Sequence, residues 1–466
     1  MSASGHARVV SAPVPTEAFA RLAQHTGVFW LDSSLPRKSD GRFSIMGCEP
    51  RWVFIAHGQE WRIERRGVVV ERGAHDALAK LEELLASHRV VSPVRPELPF
   101  WGGAIGWFSY DLGRQFESME GTASADLPTP DIRLAWHDAA LVWDHQENLT
   151  WLVGADGERP AALAMDELAV WLSESAPAEA SGACLKKTAP AISDLLRGEY
   201  LEHVEAIRDC IARGEVYQAN LVQRFTCAHH DTTAAIYLRL RELNPAPFAL
   251  YQDAGDWAVL SSSPERFLEV EPGGRIRTCP IKGTRPRGRS GAEDEARRQE
   301  LAASVKERAE LLMIVDLLRN DLGRVCEFGS VQVPRLHALE TFATVHHLVG
   351  EVTGQLRAGV RLGELLRAVF PGGSITGAPK IAALRLIDRL EPHRRGIGMG
   401  ALGYLSAHGR IDLNIAIRTI ICRGGQAYFH LGAGIVWDSN PAAEYEETLV
   451  KGRALFAALG LPEANP

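Results

Sequence analysis

Between residues 27 and 155 the apolar positions come in short runs of β-formers separated by polar turns. Trp52-Val53-Phe54-Ile55 is one such run. Trp61-Arg62-Ile63 with Val68-Val69-Val70, and Ala140-Leu141-Val142-Trp143 with Leu149-Thr150-Trp151-Leu152, are others. The last two flank Asp144-His145-Gln146-Glu147-Asn148, whose Asp and Asn suit a hairpin turn. Helical spacing interrupts at 16–25 and 75–88. A further helix ends near Ser173, and residues 176–191, rich in Ala, Ser, Pro, Glu and Lys, read as a linker. In the second half the pattern predicts helices at 197–213 and 232–243. Strands Trp257-Ala258-Val259-Leu260 and Arg266-Phe267-Leu268-Glu269-Val270 are expected around Ser263-Pro264-Glu265. One long helix is predicted over 292–322, opening on Glu293, Asp294 and Glu295, acids that suit a helix N-terminus. Strands follow at 411–421, 426–432 and 434–437, and a closing helix at 441–458. Strands and helices mix without a βαβ rhythm, so the expected class is α+β with large, mostly antiparallel sheets.

The bulk numbers narrow the partners. At 466 residues the chain exceeds the size at which one core usually stops growing. A net charge of −7 gives neither a nucleic-acid footprint nor a polybasic membrane surface. The 7 cysteines include no Cys-x-x-Cys pair, which suits reduced thiols in a cytoplasm. The first 15 residues carry no apolar signal-peptide core and no run of about 18 apolar residues occurs, so a cytoplasmic chain is expected. Asn148-Leu149-Thr150 is a glycosylation sequon without meaning in that compartment.

Several groups of residues can carry chemistry. Lys282 lies in Pro280-Ile281-Lys282-Gly283-Thr284-Arg285-Pro286-Arg287-Gly288. A lysine becomes nucleophilic when burial or a neighbouring cation depresses its pKa, and Arg285 and Arg287 are the cations at hand. Taken alone, the stretch reads first as a basic surface loop. Glu307 and Glu310, and again Glu444 and Glu447, stand three apart on predicted helices, so each pair shares one helix face. Two such edges facing each other present four carboxylates, the hard oxygen donors that Mg²⁺ takes. Either pair alone is ordinary for a solvated face, but the apolar run Leu311-Leu312-Met313-Ile314-Val315 argues that the first helix is buried. The glycine-rich turn at 372–380 precedes a helix and offers backbone N–H groups for an anion. It is not a Walker loop, because Ala378 follows Gly377. Gly432-Ala433-Gly434 suggests a bulge or a close approach to a ligand. Gly398-Met399-Gly400-Ala401-Leu402-Gly403 spells a dinucleotide fingerprint but runs into a strand, so NAD binding is rejected. Arg418, within an apolar run, suits a carboxylate of substrate or an internal ion pair.

Taken together, Ser263-Pro264-Glu265-Arg266-Phe267, the Lys282 loop, 307–321 (ERAELLMIVDLLRND), Val345-His346-His347-Leu348, the 372–380 turn, 412–419 (DLNIAIRT) and the segment 432–451 resemble the chorismate-utilising enzymes. They stand in family order over roughly 197–453. The N-terminal half matches more loosely, through Leu31-Asp32-Ser33, Gly41-Arg42-Phe43-Ser44 and 102–110 (GGAIGWFSY). The resemblance implies large sheets packed as a sandwich with outer helices. It also implies an N-terminal region at 1–175, a linker at 176–196, a chorismate-binding catalytic region at 197–453 and a tail at 454–466.

Within the family, members that make anthranilate carry alanine where Lys282 stands. Lysine is typical of the branch that aminates chorismate at the 4-position on the way to p-aminobenzoate and folate. By that resemblance Lys282 attacks the chorismate ring and expels the 4-hydroxyl, Glu265 is the general acid, and ammonia then displaces the lysine. Glu310 and Glu447 bind Mg²⁺, assisted by Glu307 and Glu444. Arg418, Lys451, Gly432 and Gly434 hold the substrate carboxylates, and Thr284, His347, Ser374, Thr376 and Gly377 complete the pocket. No G-x-C-x-G glutaminase elbow occurs, so a separate glutamine amidotransferase partner is implied. Family members that bind tryptophan in the N-terminal lobe use a Leu-Leu-Glu-Ser-like segment. Here Trp30-Leu31-Asp32-Ser33 faces Asn244-Pro245-Ala246-Pro247-Phe248, so Asp32, Ser33, Pro245 and Phe248 are the corresponding positions, and Asp32 is shorter by one methylene. The alternatives are the same fold making anthranilate or isochorismate, and a non-catalytic chorismate-binding subunit.

Overall fold

The structure, a computed structural model, describes residues 3–35, 40–93, 95–119, 121–175, 189–341 and 345–462. Two sheets dominate it. The 13-stranded sheet runs from Ile192–Ser193 through Gln218–Ala228, Gln426–Ile435, Thr419–Arg423, Trp257–Ser263, Phe248–Asp253, Phe29–Asp32, Phe43–Gly47, Ala139–Asp144, Leu149–Ala155 and Ala3–Val9 to Val90–Pro93, with Gly377–Ala378 branching off Gln218–Ala228. The 12-stranded sheet runs from Ile281–Pro286 through Val345–Gln355, Arg275–Cys279, Arg266–Val270, Ile411–Ile415, Ala401–Ser406, Gly103–Phe108, Ile132–His137, Trp52–His57 and Glu60–Arg65 to Val68–Gly73, with Gln332–Thr341 branching off Val345–Gln355. Among these strands only Ala3–Val9 with Val90–Pro93 is parallel.

The sheets face each other because their strands alternate apolar side chains toward a shared interior. Phe29, Ile45, Val142 and Val153 of one meet Ile105 and Tyr404 of the other. Leu250, Val259 and Ile421 meet Trp107 and Leu402. Each large side chain so buried contributes roughly 1.5–3 kcal/mol. Outside the larger sheet lie the helices Pro15–Leu22, Ala161–Ser173, Thr233–Leu243 and Pro441–Ala458. Outside the smaller lie Ala77–Ser87, Val305–Gly323 and Leu362–Val369. The expected α+β sandwich with outer helices is thus the observed one.

Both sheets interleave the two halves of the chain. Phe29–Asp32 pairs with Phe248–Asp253, and Gly103–Phe108 with Ala401–Ser406. Of the expected linker, 176–188 lies outside the described residues, and Ile192–Ser193 is an edge strand. The closing helix Pro441–Ala458 runs on past residue 453, with Leu455 and Phe456 buried.

Three local expectations are corrected. The helix predicted over 292–322 is two, Gly291–Ala303 and Val305–Gly323. Ser304 leaves helical geometry at ψ 110° and its side chain accepts from the Glu307 N–H, starting the second helix. The strand predicted over 411–421 is interrupted between Ile415 and Thr419, with Arg418 at φ 49°. The two strands predicted over 426–437 are one, Gln426–Ile435, paired without a bulge across Gly432 and Gly434.

Candidate active site

A cavity of about 560 Å³ opens where these irregularities meet. Ile281–Pro286 brings Lys282 and Thr284 to it. The start of Val305–Gly323 brings Lys306, Glu307 and Glu310, and Pro441–Ala458 brings Glu444, Glu447 and Lys451. Glu265, His347, Ser374, Arg418, Gly432 and Gly434, also singled out by the sequence, line it as well. Gly283 sits at φ 72° within a shift of the strand pairing. A Cβ there would stand 2.8 Å from Leu301 and 3.0 Å from the Glu307 carboxylate, so only glycine lets the lysine strand lie against the two helices that meet at Ser304. Gly434 serves a different purpose: a Cβ on it would come within 3.0 Å of Lys282 Nζ.

Glu265 is buried, and desolvation pushes its carboxyl up to about 7. A hydrogen bond from Ser374, the charge of Lys282 and the Ile281 N–H pull the other way. Arg418 is depressed by burial, which the negative charge of Glu265 partly offsets. Its kinked backbone is held by Ser262, whose N–H donates to the Arg418 carbonyl at 3.1 Å. Thr284 Oγ1 and His347 Nδ1 are 2.9 Å apart. Lys451 Nζ donates to the Gly432 carbonyl at 3.1 Å and pairs with Glu447 at 2.7 Å.

Burial raises Glu310 and Glu444 above the ordinary carboxylate range. Lys306 Nζ stands between them, 3.9 Å from Glu310 and 3.8 Å from Glu444. Burial also opposes ionisation of Glu447, but Lys451, Lys306 and Lys282 together outweigh it and hold the group low. Among the described residues no three His, Cys, Asp or Glu side chains close into a metal shell by themselves. The donors nonetheless suit Mg²⁺ in kind. They are partly desolvated carboxylates on two facing helix edges, and Mg²⁺ keeps waters and substrate oxygens as its other ligands.

Other expected members take different places. Thr376 is fully buried with its hydroxyl donating to the Gly372 carbonyl at 2.9 Å, so it does not line the cavity. Gly377 lies in the short strand Gly377–Ala378 paired with Gln218–Ala228, where a Cβ would press on the Gln218 carbonyl. That pairing, and the Asn220 N–H donating to the Thr376 carbonyl, draw the backbone here into the sheet rather than into an anion cradle. Arg285 and Arg287 are not companions of Lys282 either. Arg285 pairs with Glu300 and Glu307, at 2.8 and 3.4 Å, and Arg287 holds Asp294 at 2.7 Å through both of its ends.

Lys306, Asn220, Asn244 and His430 line the cavity without having been anticipated. Lys306 stands four before Glu310, a helix pair the sequence shows. Asn220 and His430 lie inside apolar strands and carried no such signal.

The positions expected for tryptophan lie elsewhere, at a second cavity of about 370 Å³ lined by Asp32, Ser33 and Phe248. Pro247, not Pro245, completes that wall. Asp32 is buried and raised to about 6 by desolvation, which the charge of Arg241 counters. Its Oδ2 accepts from Arg241 Nε at 2.6 Å and from the Tyr237 hydroxyl at 3.2 Å. Ser33 donates to the Phe43 carbonyl at 2.7 Å.

Comparisons with known proteins point to one family. The family described as chorismate binding enzyme matches residues 29–457. Aminodeoxychorismate synthase component 1 of Klebsiella aerogenes is 42% identical over 434 residues, 93% of this chain and 94% of that one. Anthranilate synthase component 1 of Pseudomonas aeruginosa is 38% identical over 465 residues, 97% and 94% of the two chains. The crystal structure of anthranilate synthase component I from Streptococcus pneumoniae superposes with a TM-score of 0.77 at 33% identity, covering 88% of this chain and 91% of that one. The chain belongs to the chorismate-binding enzymes.

Proposed function

We propose that this chain is the synthase component that converts chorismate and ammonia to 4-amino-4-deoxychorismate, in the cytoplasm, on the way to p-aminobenzoate and folate. Overall identity does not choose between the relatives, since 4-aminating and anthranilate-forming enzymes stand at 42% and 38%. The observation that carries the choice is Lys282, a primary amine inside the cavity, close to Gly434 and within electrostatic reach of Glu265.

Lys282 Nζ forms a bond to the chorismate ring while the bond to the 4-hydroxyl breaks. Glu265, kept partly protonated near neutral pH by burial, gives its proton to the departing oxygen, which leaves as water. Ammonia then forms the C–N bond at the 4-position, the lysine departs as a free amine, and the proton released restores Glu265. Arg418 and Lys451 hold the substrate carboxylates. Glu310 and Glu447, assisted by Glu307 and Glu444, would hold Mg²⁺, which offsets the charge of a substrate carboxylate. A separate glutamine amidotransferase supplies the ammonia, in keeping with the words "component 1" in the relatives' names.

The test is the product formed from chorismate, Mg²⁺ and ammonium without any partner, identified by liquid chromatography and mass spectrometry. 4-Amino-4-deoxychorismate is expected. Anthranilate or isochorismate would overturn the assignment of the reacting carbon, and chorismate binding with no product would point to a binding subunit.

A further inference from the structure

We propose that Gln218 positions the amine of Lys282. The proposal rests on the reading of Lys282 as nucleophile and adds a residue to it. Gln218 opens the strand Gln218–Ala228, on the same side as Asn220, which lines the cavity. It is fully buried, yet neither Oε1 nor Nε2 of its carboxamide has a hydrogen-bond partner. A buried amide with both ends unmade is costly unless a group yet to be engaged completes it.

The nearest reason for its place is Gly434, which pairs with Asn220 on the neighbouring strand. A Cβ on Gly434 would stand 2.5 Å from Gln218 Nε2 and 3.0 Å from Lys282 Nζ. The side chain missing at 434 is therefore the space that the amide and the amine share. The two ends of a carboxamide are nearly the same shape, so a half-turn brings Oε1 to this point. There it accepts one N–H of the Lys282 amine. The nitrogen lone pair, which must attack carbon, is left directed into the cavity. Gln218 touches no reacting atom and acts through the lysine.

The test uses the full-length chain with Gln218→Met, which keeps length without a carboxamide, and Gln218→Glu, which keeps an acceptor oxygen. Two quantities are read: kcat and KM for chorismate in ammonia-dependent amination, and the carbamoylation rate of Lys282 by cyanate, by peptide mass spectrometry with Lys306 as internal reference. Gln218→Met is expected to lower kcat by roughly ten- to a hundred-fold with KM nearly unchanged, and to alter the cyanate rate at Lys282 several-fold but not at Lys306. Gln218→Glu is expected to recover part of both. A Gln218→Met enzyme within about twofold of the parent in kcat and cyanate rate overturns the proposal. So does a fall in kcat with an unchanged cyanate rate at Lys282, because the loss is then structural. Lys282→Ala is assayed alongside. If it still makes 4-amino-4-deoxychorismate, the nucleophile reading fails by itself, and the cyanate rate still decides whether Gln218 holds the amine.

Discussion

The two cavities hold similar residues and treat them in opposite ways. Around the smaller one the charges are matched. Arg266 pairs with Asp40 at 2.5 Å and with Asp412 at 2.9 Å; Arg277 joins Asp40 and Glu269; Arg410 takes Glu269 at 2.9 Å; Arg241 takes Asp32. Around the larger one Lys451 meets Glu447 at 2.7 Å, but the other acids are met less closely. Glu265, Glu310 and Glu444 are pushed toward the neutral form, Lys306 meets its carboxylates only at 3.8–3.9 Å, and the carboxamide of Gln218 is unpaired. Buried charges that find partners build structure; those left wanting are poised for a ligand.

The sharpest way to break this contrast is Lys282→Ala. We expect 4-amination to fall by about a thousandfold or more while chorismate affinity by calorimetry changes less than about tenfold. Retained amination would make the larger cavity a binding site only.

Glu265→Gln should lower kcat/KM by about 10²–10⁴. In the parent, kcat/KM should decline above about pH 7, with free ammonia held constant, as Glu265 loses its proton. The stability of the parent should fall over the same pH range. A carboxyl raised from 4.5 to about 7 in the fold contributes fully below 4.5, and its contribution is lost as pH rises through 7. Glu265→Gln should therefore match the parent near pH 4.5 and exceed it at pH 8 by up to about 3 kcal/mol in urea unfolding. Equal offsets at both pH values would remove the buried acid from the argument.

At the smaller cavity, Arg266→Leu leaves Asp412 without its buried partner and takes one of two arginines from Asp40, and should cost about 3–5 kcal/mol in the same experiment. A loss under about 1 kcal/mol would show that its network is loose after all. Smaller again, Glu310→Gln or Glu447→Gln should weaken the Mg²⁺ dependence of chorismate binding by at least about tenfold, read by calorimetry. An unchanged Mg²⁺ titration would hand these carboxylates to Lys306 and Lys451 alone. The least effect is expected from tryptophan, since Asp32 is already engaged by Arg241 and Tyr237. Saturable binding at micromolar concentration would show that the smaller cavity accepts a ligand despite its matched charges.

Much of this was legible in the residues. Arg266–Val270, Arg197–Ala212 and Pro441–Ala458 fall within a residue of where apolar spacing put them. The break at Ser304 also had its signal, Ser304 with Glu307 three residues on, overlooked because the helical pattern continues on both sides. The kink at Arg418 had none, because it depends on Ser262 and Ser263 of another strand: Ser263 Oγ donates to the Ile415 carbonyl at 2.7 Å.

The sequence by itself determined the α+β class, the helix edges bearing Glu307 with Glu310 and Glu444 with Glu447, and the lysine loop, since these depend on spacing along one element. Only the tertiary structure decided which charges are left unpaired. It turned Arg285 and Arg287 away to Glu300, Glu307 and Asp294, sealed Thr376 behind the cavity wall, desolvated Glu265, and set Gln218 beside Lys282 in the space left by Gly434. Burial and the choice of ion-pair partner arise between segments far apart in the chain, and no local pattern encodes them.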